Sequence, residues 1–238
     1  MIKDYVAFDL ETTGLNADTD YIIEIGALKV RDGKVCERFM EFVKPPTSIS
    51  PMITNITGIT NEMVAGARKT EDIIRDFVAF CGNDILVGHN IMFDYKFTKR
   101  YANEYGFSFE KEGIDTLRIA KKVHKDLESR SLGTLCEYYQ IINQVAHRAY
   151  HDALATAKLY HTLAHEFEQS ESEIFKPQVL QFKAKKIQPC TAKQVKYLRM
   201  LCEHHGLTIE VDPETLSRSE ASKRIDGIIA QYGMMKSE

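Results

Sequence analysis

Two acidic residues separated by one position stand near the start of the chain, in the segment FDLETTG at residues 8–14. If this segment is a β-strand, Asp9 and Glu11 share one face, because side chains alternate along a strand. Two carboxylates held this close raise each other's pKa unless positive charge lies between them. A hard divalent cation such as Mg²⁺, which takes oxygen ligands, would relieve the repulsion. On its own, the pair fits a solvated strand end at least as well.

Two further aspartates stand where the sequence predicts helix starts. Asp94 closes the segment GHNIMFD at residues 88–94, in which Asn90 is the predicted N-cap, and Asp152 lies in HRAYHDA at residues 147–153. The helix dipole favours a carboxylate in the first turn whether or not it binds a metal. Considered singly, each of these residues therefore fits a structural role better than a catalytic one.

Taken together, the three segments resemble the exonuclease motifs of the DEDD superfamily, the 3′→5′ exonucleases related to the epsilon subunit of bacterial replicative polymerase, ribonuclease T and oligoribonuclease. The resemblance covers about residues 1–168, and the segments occur in the order of the three motifs.

The third motif separates two branches of that superfamily. In the histidine branch the general base lies five positions before the last aspartate, which is His147 here. The tyrosine branch has a tyrosine four positions before, where this chain has Arg148. The segment therefore resembles the DEDDh type, with His151 as the competing histidine.

The resemblance implies a mechanism and a set of site residues. It implies that the acidic residues hold two Mg²⁺ or Mn²⁺ ions, which serve the attacking and leaving oxygens of an in-line displacement. It also implies that His147 takes the proton of the attacking water, a role suited to an imidazole with an ordinary pKa of about 6.5. The implied metal ligands are Asp9, Glu11, Asp94 and Asp152. The implied substrate-binding residues are Thr12, Thr13, Leu15, Ile59, His89, Asn90 and Phe93.

The elements that would position these residues are predicted in a definite order, with strands first and helices later. Apolar segments at residues 5–10, 21–30 and 35–43 have the spacing of a strand meander, and a short apolar run follows at 84–88. Helical spacing links Phe93, Phe97 and Tyr101 before Gly106, and Leu159, Leu163 and Phe167 after Asp152. This order predicts an α/β domain. The resemblance implies a ribonuclease H-like, mixed five-stranded sheet flanked by helices, with a small C-terminal helical module.

Charge divides the 238 residues into two unlike parts. Residues 1–175 hold 20 basic and 27 acidic residues, a balance of −7, and the remainder hold 11 and 7, a balance of +4. We predict an exonuclease domain at residues 1–168, a linker at 169–189 and a helical module at 190–238. Capping-box patterns at Thr191/Gln194 and Ser217/Glu220 open the helices of that module.

The basic residues of the tail admit two interpretations. They could contact a phosphate backbone, or they could form an ordinary solvated face. The residues concerned are Lys183, Lys185, Lys186, Lys193, Lys196 and Arg199.

Cysteine usage and hydropathy predict the compartment. The five cysteines are scattered, without a Cys-x-x-Cys pair, as expected of reduced thiols in the cytoplasm. The sequence has no apolar run of spanning length and does not begin with a signal-peptide pattern, so we expect no membrane partner.

The sequence therefore predicts a metal-dependent 3′→5′ exonuclease that releases nucleoside monophosphates from DNA 3′ ends. Single-stranded DNA is the favoured substrate, and a DNA polymerase or another replication or repair protein is the expected partner. Two alternatives stay open: an RNA-trimming exoribonuclease of the same fold, and an inactive nucleic-acid-binding or polymerase-tethering protein. A phosphotransferase or ATPase is set aside because the chain lacks both glycine-rich phosphate-binding patterns.

Overall fold

The computed structural model describes residues 1–143, 145–183, 188–209 and 211–234. The chain divides into two compact units, Met1–Ala184 and Lys185–Glu238. Within the described residues, none of the helices combines the length and the apolar character that crossing a bilayer would require.

A mixed six-stranded sheet forms the centre of the first unit. Its order is β3-β2-β1-β4-β5-β6, with β1 antiparallel to β2 and parallel to β4. The predicted α/β architecture is confirmed, although the sheet has one strand more than the five predicted. The strands are β1 (Tyr5–Thr12), β2 (Ile22–Arg31), β3 (Lys34–Phe42), β4 (Leu86–Gly88), β5 (Lys111–Asp115) and β6 (Gln178–Leu180).

The additional strand, β6, lies inside the segment that the sequence predicts as a linker. It pairs antiparallel with β5, and the 3₁₀ turn Ser172–Phe175 precedes it. Phe175 and Leu180 are buried. Leu180 is admitted by Gly113, where a Cβ atom would lie 2.9 Å from the leucine Cδ1. The predicted linker at 169–189 therefore starts too early, because its apolar residues complete the sheet.

Helices cover both faces of the sheet. Val6, Phe8 and Leu10 point into one core, whereas Tyr5 and Ala7 point into the other, so the predicted alternation along β1 is correct. The helices of the first unit are α1 (Pro51–Thr57), α2 (Asn61–Ala65), α3 (Thr70–Cys81), α4 (Met92–Glu104), α5 (Thr116–Val123), α6 (Leu132–Tyr138) and α7 (Ala149–Phe167).

Two predicted helix starts are corrected. Asn90 does not cap α4, because it adopts a positive φ of 65° and its backbone N–H donates to Asp115 Oδ1 at 2.9 Å. The helix α7 begins at Ala149, so Asp152 lies within its first turn and not at its cap. Each aspartate of the later motifs is therefore held inside a helix.

The second unit contains α8 (Ala192–His204) and α9 (Arg218–Tyr232). Both helices begin with the predicted capping boxes, at Thr191/Gln194 and Ser217/Glu220. They enclose a small core of apolar side chains, which includes Leu198, Leu201, Leu216, Ala221 and Ile225.

Candidate active site

The predicted catalytic residues of all three motifs line one cavity of about 400 Å³ in the first unit. Asp9 and Glu11 reach it from β1, on the sheet face that α7 covers. Across the antiparallel pairing, Asp9 lies opposite Gly26 and Glu11 lies opposite Glu24. The alternation of β1 thus brings both carboxylates to the side where the third motif begins.

Asp94 is fixed beside β1 by a hydrogen bond to the strand. Its side chain lies in the first turn of α4 and is buried, and its Oδ1 accepts from the backbone N–H of Leu10 at 3.0 Å. Because Leu10 stands between Asp9 and Glu11, this bond ties the carboxylate of the second motif directly to the first.

Asp152 and His147 approach from the start of α7. Asp152 is buried, and its Oδ1 accepts from Asn143 Nδ2 at 2.6 Å. His147 is exposed and adopts a positive φ of 60°. Ligand atoms of Glu11, His147 and Asp152 all lie within 4.8 Å of one another. The ring of His151 instead packs edge-on against Tyr150, with centroids 5.8 Å apart.

Burial and mutual repulsion raise the pKa of the β1 and α4 carboxyls. Burial raises the pKa of Asp9 well above its usual range, and the charges of Asp94 and Asp152 add to the rise. Burial also raises the pKa of Asp94, against the opposing effect of the Leu10 N–H. These groups are therefore strained as anions unless a cation joins them.

Glu11 and Asp152 respond in the same direction. Burial, followed by the charges of Asp152 and Glu24, raises the pKa of Glu11 to about 8, while the Arg148 guanidinium opposes the rise. Burial raises the pKa of Asp152, and the hydrogen bond from Asn143 opposes it. Perturbed carboxyls gathered in a cleft are typical of functional sites.

The donor set fits a divalent cation. The described residues that line the cavity include four carboxylates and two imidazoles but no lysine or arginine, so no lysine or arginine side chain among them offsets the acids. Carboxylate oxygens are the ligands that Mg²⁺ and Mn²⁺ prefer, and imidazole suits several divalent metals. A bound divalent cation would supply the missing positive charge.

Three further residues support the predicted catalytic residues through contacts that the motifs do not indicate. They are Glu24, Arg148 and Asn143. Glu24 is buried and pairs with Arg148, with an NH2–Oε1 distance of 2.8 Å. Asn143 holds Asp152 as described above. The sequence does carry a signal for Glu24, since an acid inside the apolar run of residues 22–28 is unusual for a strand. Nothing comparable marks Asn143.

The threonine hydroxyls predicted to bind substrate serve the loop that follows β1. Thr12 Oγ1 donates to the carbonyl of Gly14 at 2.7 Å, and Thr13 Oγ1 accepts from the N–H of Tyr21 at 2.9 Å. Both hydroxyls therefore hold the turn that presents Leu15, which is 87% exposed.

Asn90 and Phe93 line the acidic cavity, and Leu15 lines a second cavity beside it. This second cavity, of about 470 Å³, is lined in part by all three residues and shares Asn90 and Phe93 with the first. Phe93 also packs against Phe97, with ring centroids 5.1 Å apart. These side chains therefore remain available to a ligand that enters the site.

The side chains of two other residues predicted to bind substrate make contacts within the protein instead. Ile59 is fully buried with Ile23 and Ile53, so the prediction that it touches a terminal base is corrected: its side chain fills a core. His89 borders the cavity, but its ring nitrogens lie 2.9 Å from Thr116 Oγ1 and 2.9 Å from the Arg130 carbonyl. Burial lowers its pKa, in keeping with a neutral ring that links the start of α5 to the loop before α6.

The basic residues of the tail are surface groups where the structure describes them. Lys183, Lys193 and Lys196 are exposed, whereas Lys185 and Lys186 lie outside the described residues. Arg199 pairs with Asp212 at 3.3 Å and with Glu214 at 3.1 Å. The charge of Arg199 is thus already partnered within the second unit.

The sequence is similar to a known protein family and to known DNA polymerases. The family model RNase_T, described as an exonuclease, matches residues 6–160. The chain is 40% identical over 157 residues to the PolC-type DNA polymerase III of Caldanaerobacter subterraneus subsp. tengcongensis, a match that covers 66% of this chain and 11% of the polymerase. The Bacillus subtilis enzyme is 40% identical over 158 residues, with 65% and 11% covered. The chain thus spans about a tenth of the length of these curated relatives.

Structural comparison agrees. Exonuclease X in complex with 5′ overhanging duplex DNA superimposes with a TM-score of 0.57 and 26% identity, over 72% of this chain and 97% of that one. An Escherichia coli Exonuclease I–ssDNA complex gives a TM-score of 0.65 at 18% identity, over 74% and 43% of the two chains. The first unit therefore has the ribonuclease H-like exonuclease fold that the resemblance implied.

Proposed function

The chain belongs to the RNase_T exonuclease family, and from this premise we propose that it is a metal-dependent 3′→5′ exonuclease of the DEDDh type acting on DNA. One observation carries the proposal: four carboxylates and His147, drawn from three distant segments, line a single cavity. A chain that had lost catalysis would have no need to gather four like charges in one cavity, two of them buried and two partly buried, since each raises the free energy of the others.

The residues divide the reaction among themselves. Asp9, Glu11, Asp94 and Asp152 would hold two Mg²⁺ or Mn²⁺ ions, which when bound would neutralise charge on the phosphate and on the leaving oxygen. His147, exposed beside Glu11 and Asp152, accepts a proton from the water that attacks phosphorus. The bond from phosphorus to the 3′ oxygen of the preceding nucleotide breaks, and that oxygen takes up a proton from solvent. A nucleoside 5′-monophosphate leaves, and the shortened strand carries a new 3′ hydroxyl.

The terminal nucleotide would lie against the edge of the cavity. Leu15, Asn90 and Phe93 remain accessible there, so they are the proposed side-chain contacts to the sugar and base. Thr12 and Thr13 would contribute through the backbone of their turn, because their hydroxyls are engaged within it.

The comparisons support DNA as the substrate. The PolC-type relatives are DNA polymerases by name, and Exonuclease X is named in complex with duplex DNA. We therefore propose DNA 3′ ends as the substrate, single-stranded ends first, and a DNA polymerase or another replication or repair protein as the partner. The cytoplasm is the proposed compartment, supported by the five cysteines, all of which are free thiols.

Digestion of matched DNA and RNA oligonucleotides tests this proposal. Each strand is labelled at its 3′ or its 5′ end and incubated with Mg²⁺, Mn²⁺ or EDTA. We expect rapid release of labelled mononucleotide from 3′-labelled DNA, a shortening ladder from 5′-labelled DNA, and no cleavage in EDTA. Faster digestion of RNA would favour the exoribonuclease alternative. Binding without cleavage under every metal condition would favour the inactive alternative.

A further inference from the structure

The helix that carries Asp152, α7, is capped by a side chain of strand β2 and not by its own N-cap residue. The N-cap residue of α7, Arg148, makes no side-chain capping bond, yet the first amides of a helix need acceptors. Glu24 Oε2 on β2 accepts from the Ala149 N–H at 3.0 Å. A carboxylate 125 positions away in sequence therefore fixes where α7 begins.

The same carboxylate holds the side chain of Arg148. The guanidinium Nε donates to both Glu24 oxygens at 3.2 Å, and its NH2 group donates to Oε1 at 2.8 Å. The Arg148 guanidinium also lies 5.4 Å from the centroid of the Phe42 ring. Glu24 is 5% and Arg148 is 29% exposed, so this forked pair is shielded from water on the Glu24 side.

Gly26 completes the contact between β2 and α7. A Cβ atom at Gly26 would lie 2.0 Å from the Tyr150 nitrogen and 2.2 Å from the Ala149 carbonyl carbon. The first turn of α7 therefore rests directly on the backbone of β2. We call Glu24, Gly26 and Arg148 the β2 seat.

The β2 seat faces the carboxylates of the first motif. Glu24 is the cross-strand partner of Glu11, and Gly26 is the partner of Asp9, so the four residues share one face of the sheet. His147 directly precedes Arg148, and Asp152 follows it by four positions. A shift of α7 on this seat would move both residues relative to the β1 carboxylates.

We propose that the β2 seat sets the distance between the residues at the start of α7 and the two carboxylates of β1. Glu24 and Arg148 are thus positioning residues for the cleavage reaction, and this inference rests on the proposed function for the reaction that they position. Partners that orient metal-binding groups affect metal affinity and activity by about 10–100-fold when they are removed.

Two single variants and their combination test the seat in the full chain. Glu24→Gln keeps an acceptor for the Ala149 N–H but removes the negative charge that faces Arg148. Arg148→Lys keeps the charge but removes the planar fork. We expect each to lower kcat by about tenfold or more and to weaken Mn²⁺ binding, measured by calorimetry, by about tenfold. KM for a DNA oligonucleotide stays within about threefold, and the double variant is no worse than the worse single variant, since one pair is lost in each.

Arg75→Lys is the matched control. Arg75 forms an exposed ion pair with Asp72 on α3, at 2.7 Å. Its replacement by lysine is the same change of residue type as Arg148→Lys, at a position that does not line the cavity. We expect its kcat and Mn²⁺ affinity to equal those of the wild type. Thermal unfolding of every variant shows what fraction is folded at the assay temperature.

The outcomes separate the seat from the proposed function. The proposal for the β2 seat is overturned if both single variants keep kcat and Mn²⁺ affinity within about twofold of the wild type. It is also overturned if kcat falls only in proportion to the unfolded fraction. If the wild type cleaves no nucleic acid but binds Mn²⁺, and the variants bind it about tenfold more weakly, the proposed function fails and the seat stands. A wild type that neither cleaves nor binds Mn²⁺ overturns both.

Discussion

The two units of the chain treat charge in opposite ways. In the first, four carboxylates line one cavity, and among the described lining residues no lysine or arginine accompanies them. In the second, Arg199 pairs with Asp212 and Glu214 at the surface, and all three side chains are at least half exposed. Both arrangements gather several charged groups, but only the first gathers groups of one sign and limits their exposure to water.

The difference shows which charges carry functional information. Exposed ion pairs contribute about 0–1 kcal/mol and cost little to form, so their presence at a surface indicates no particular role. Buried carboxylates that raise one another's pKa destabilise the fold as anions, and such an arrangement is typical of sites where another charge binds. The acids of the first unit therefore support a function, whereas the basic residues of the second only permit one.

Neutralising a single buried acid is the strongest test of this comparison. Asp152→Asn keeps the shape of the side chain and its position in α7 but removes one of the four charges. We expect exonuclease activity to fall by about 10³-fold or more, the order of effect of losing a main electrostatic stabiliser. Asp126→Asn, an exposed position in the same unit, serves as the control and should retain full activity. Activity retained in Asp152→Asn would contradict the assignment of the site.

Replacing the histidine of the cavity tests whether the neighbouring charges serve proton transfer. His147→Gln should lower kcat by about 10²-fold or more, the usual contribution of a general base. His151→Gln, four positions along the same segment, should stay within about twofold, because its ring packs on Tyr150 and is not among the described residues that line the cavity. The reverse order of effects in single-turnover assays would assign the base to His151.

The acids, their order and the alternation of β1 were predictable from the sequence because each depends on local spacing. The three motifs name five residues, and the structure brings all five to one cavity. The capping boxes of α8 and α9 were predictable for the same reason, since both partners lie three positions apart.

Features that depend on distant contacts were not predictable in this way. The start of α7 is set by Glu24 from β2, so the local search for a cap placed the helix start at Asp152 instead of Ala149. The strand β6 forms only because β5 offers it an open edge, and Gly113 leaves room for Leu180. Ile59 matches the resemblance by position, but the surrounding isoleucines bury it.

The buried acids should also make the metal-free protein sensitive to pH. The pKa of Glu11 is raised to about 8, so between its ordinary value and pH 8 the folded state holds a proton that the unfolded state releases. Stability in EDTA should therefore be greatest at the acidic end of this window and fall as pH rises towards 8. At pH 8 the free energy of unfolding of Glu11→Gln should exceed that of the wild type by about 1–3 kcal/mol, with a smaller difference near pH 5.

Calorimetry with and without Mn²⁺ completes that experiment. The ion should raise the unfolding temperature of the wild type more than that of Glu11→Gln, because it binds the folded state through the charge that the variant lacks. Glu128→Gln, an exposed acid of the same unit, is the control and should follow the wild type. A wild-type stability that rises from pH 5 to pH 8 in EDTA would contradict the raised pKa of Glu11.

The smallest expected effect concerns the basic surface of the second unit. Replacing its exposed lysines should change DNA binding only if they contact phosphates. Lys193 and Lys196 are exposed on α8, and a Lys193→Gln/Lys196→Gln double variant should weaken binding to single-stranded DNA a few-fold if both contact phosphates. The slope of log K against log salt would then fall by about 1.4, about 0.7 for each contact, while kcat at saturating DNA stays unchanged. Arg199→Gln should change binding less, because Asp212 and Glu214 already neutralise that charge. An unaltered salt slope in the double variant would mean that α8 presents only a solvated face, and that the acidic cavity acts without help from these lysines.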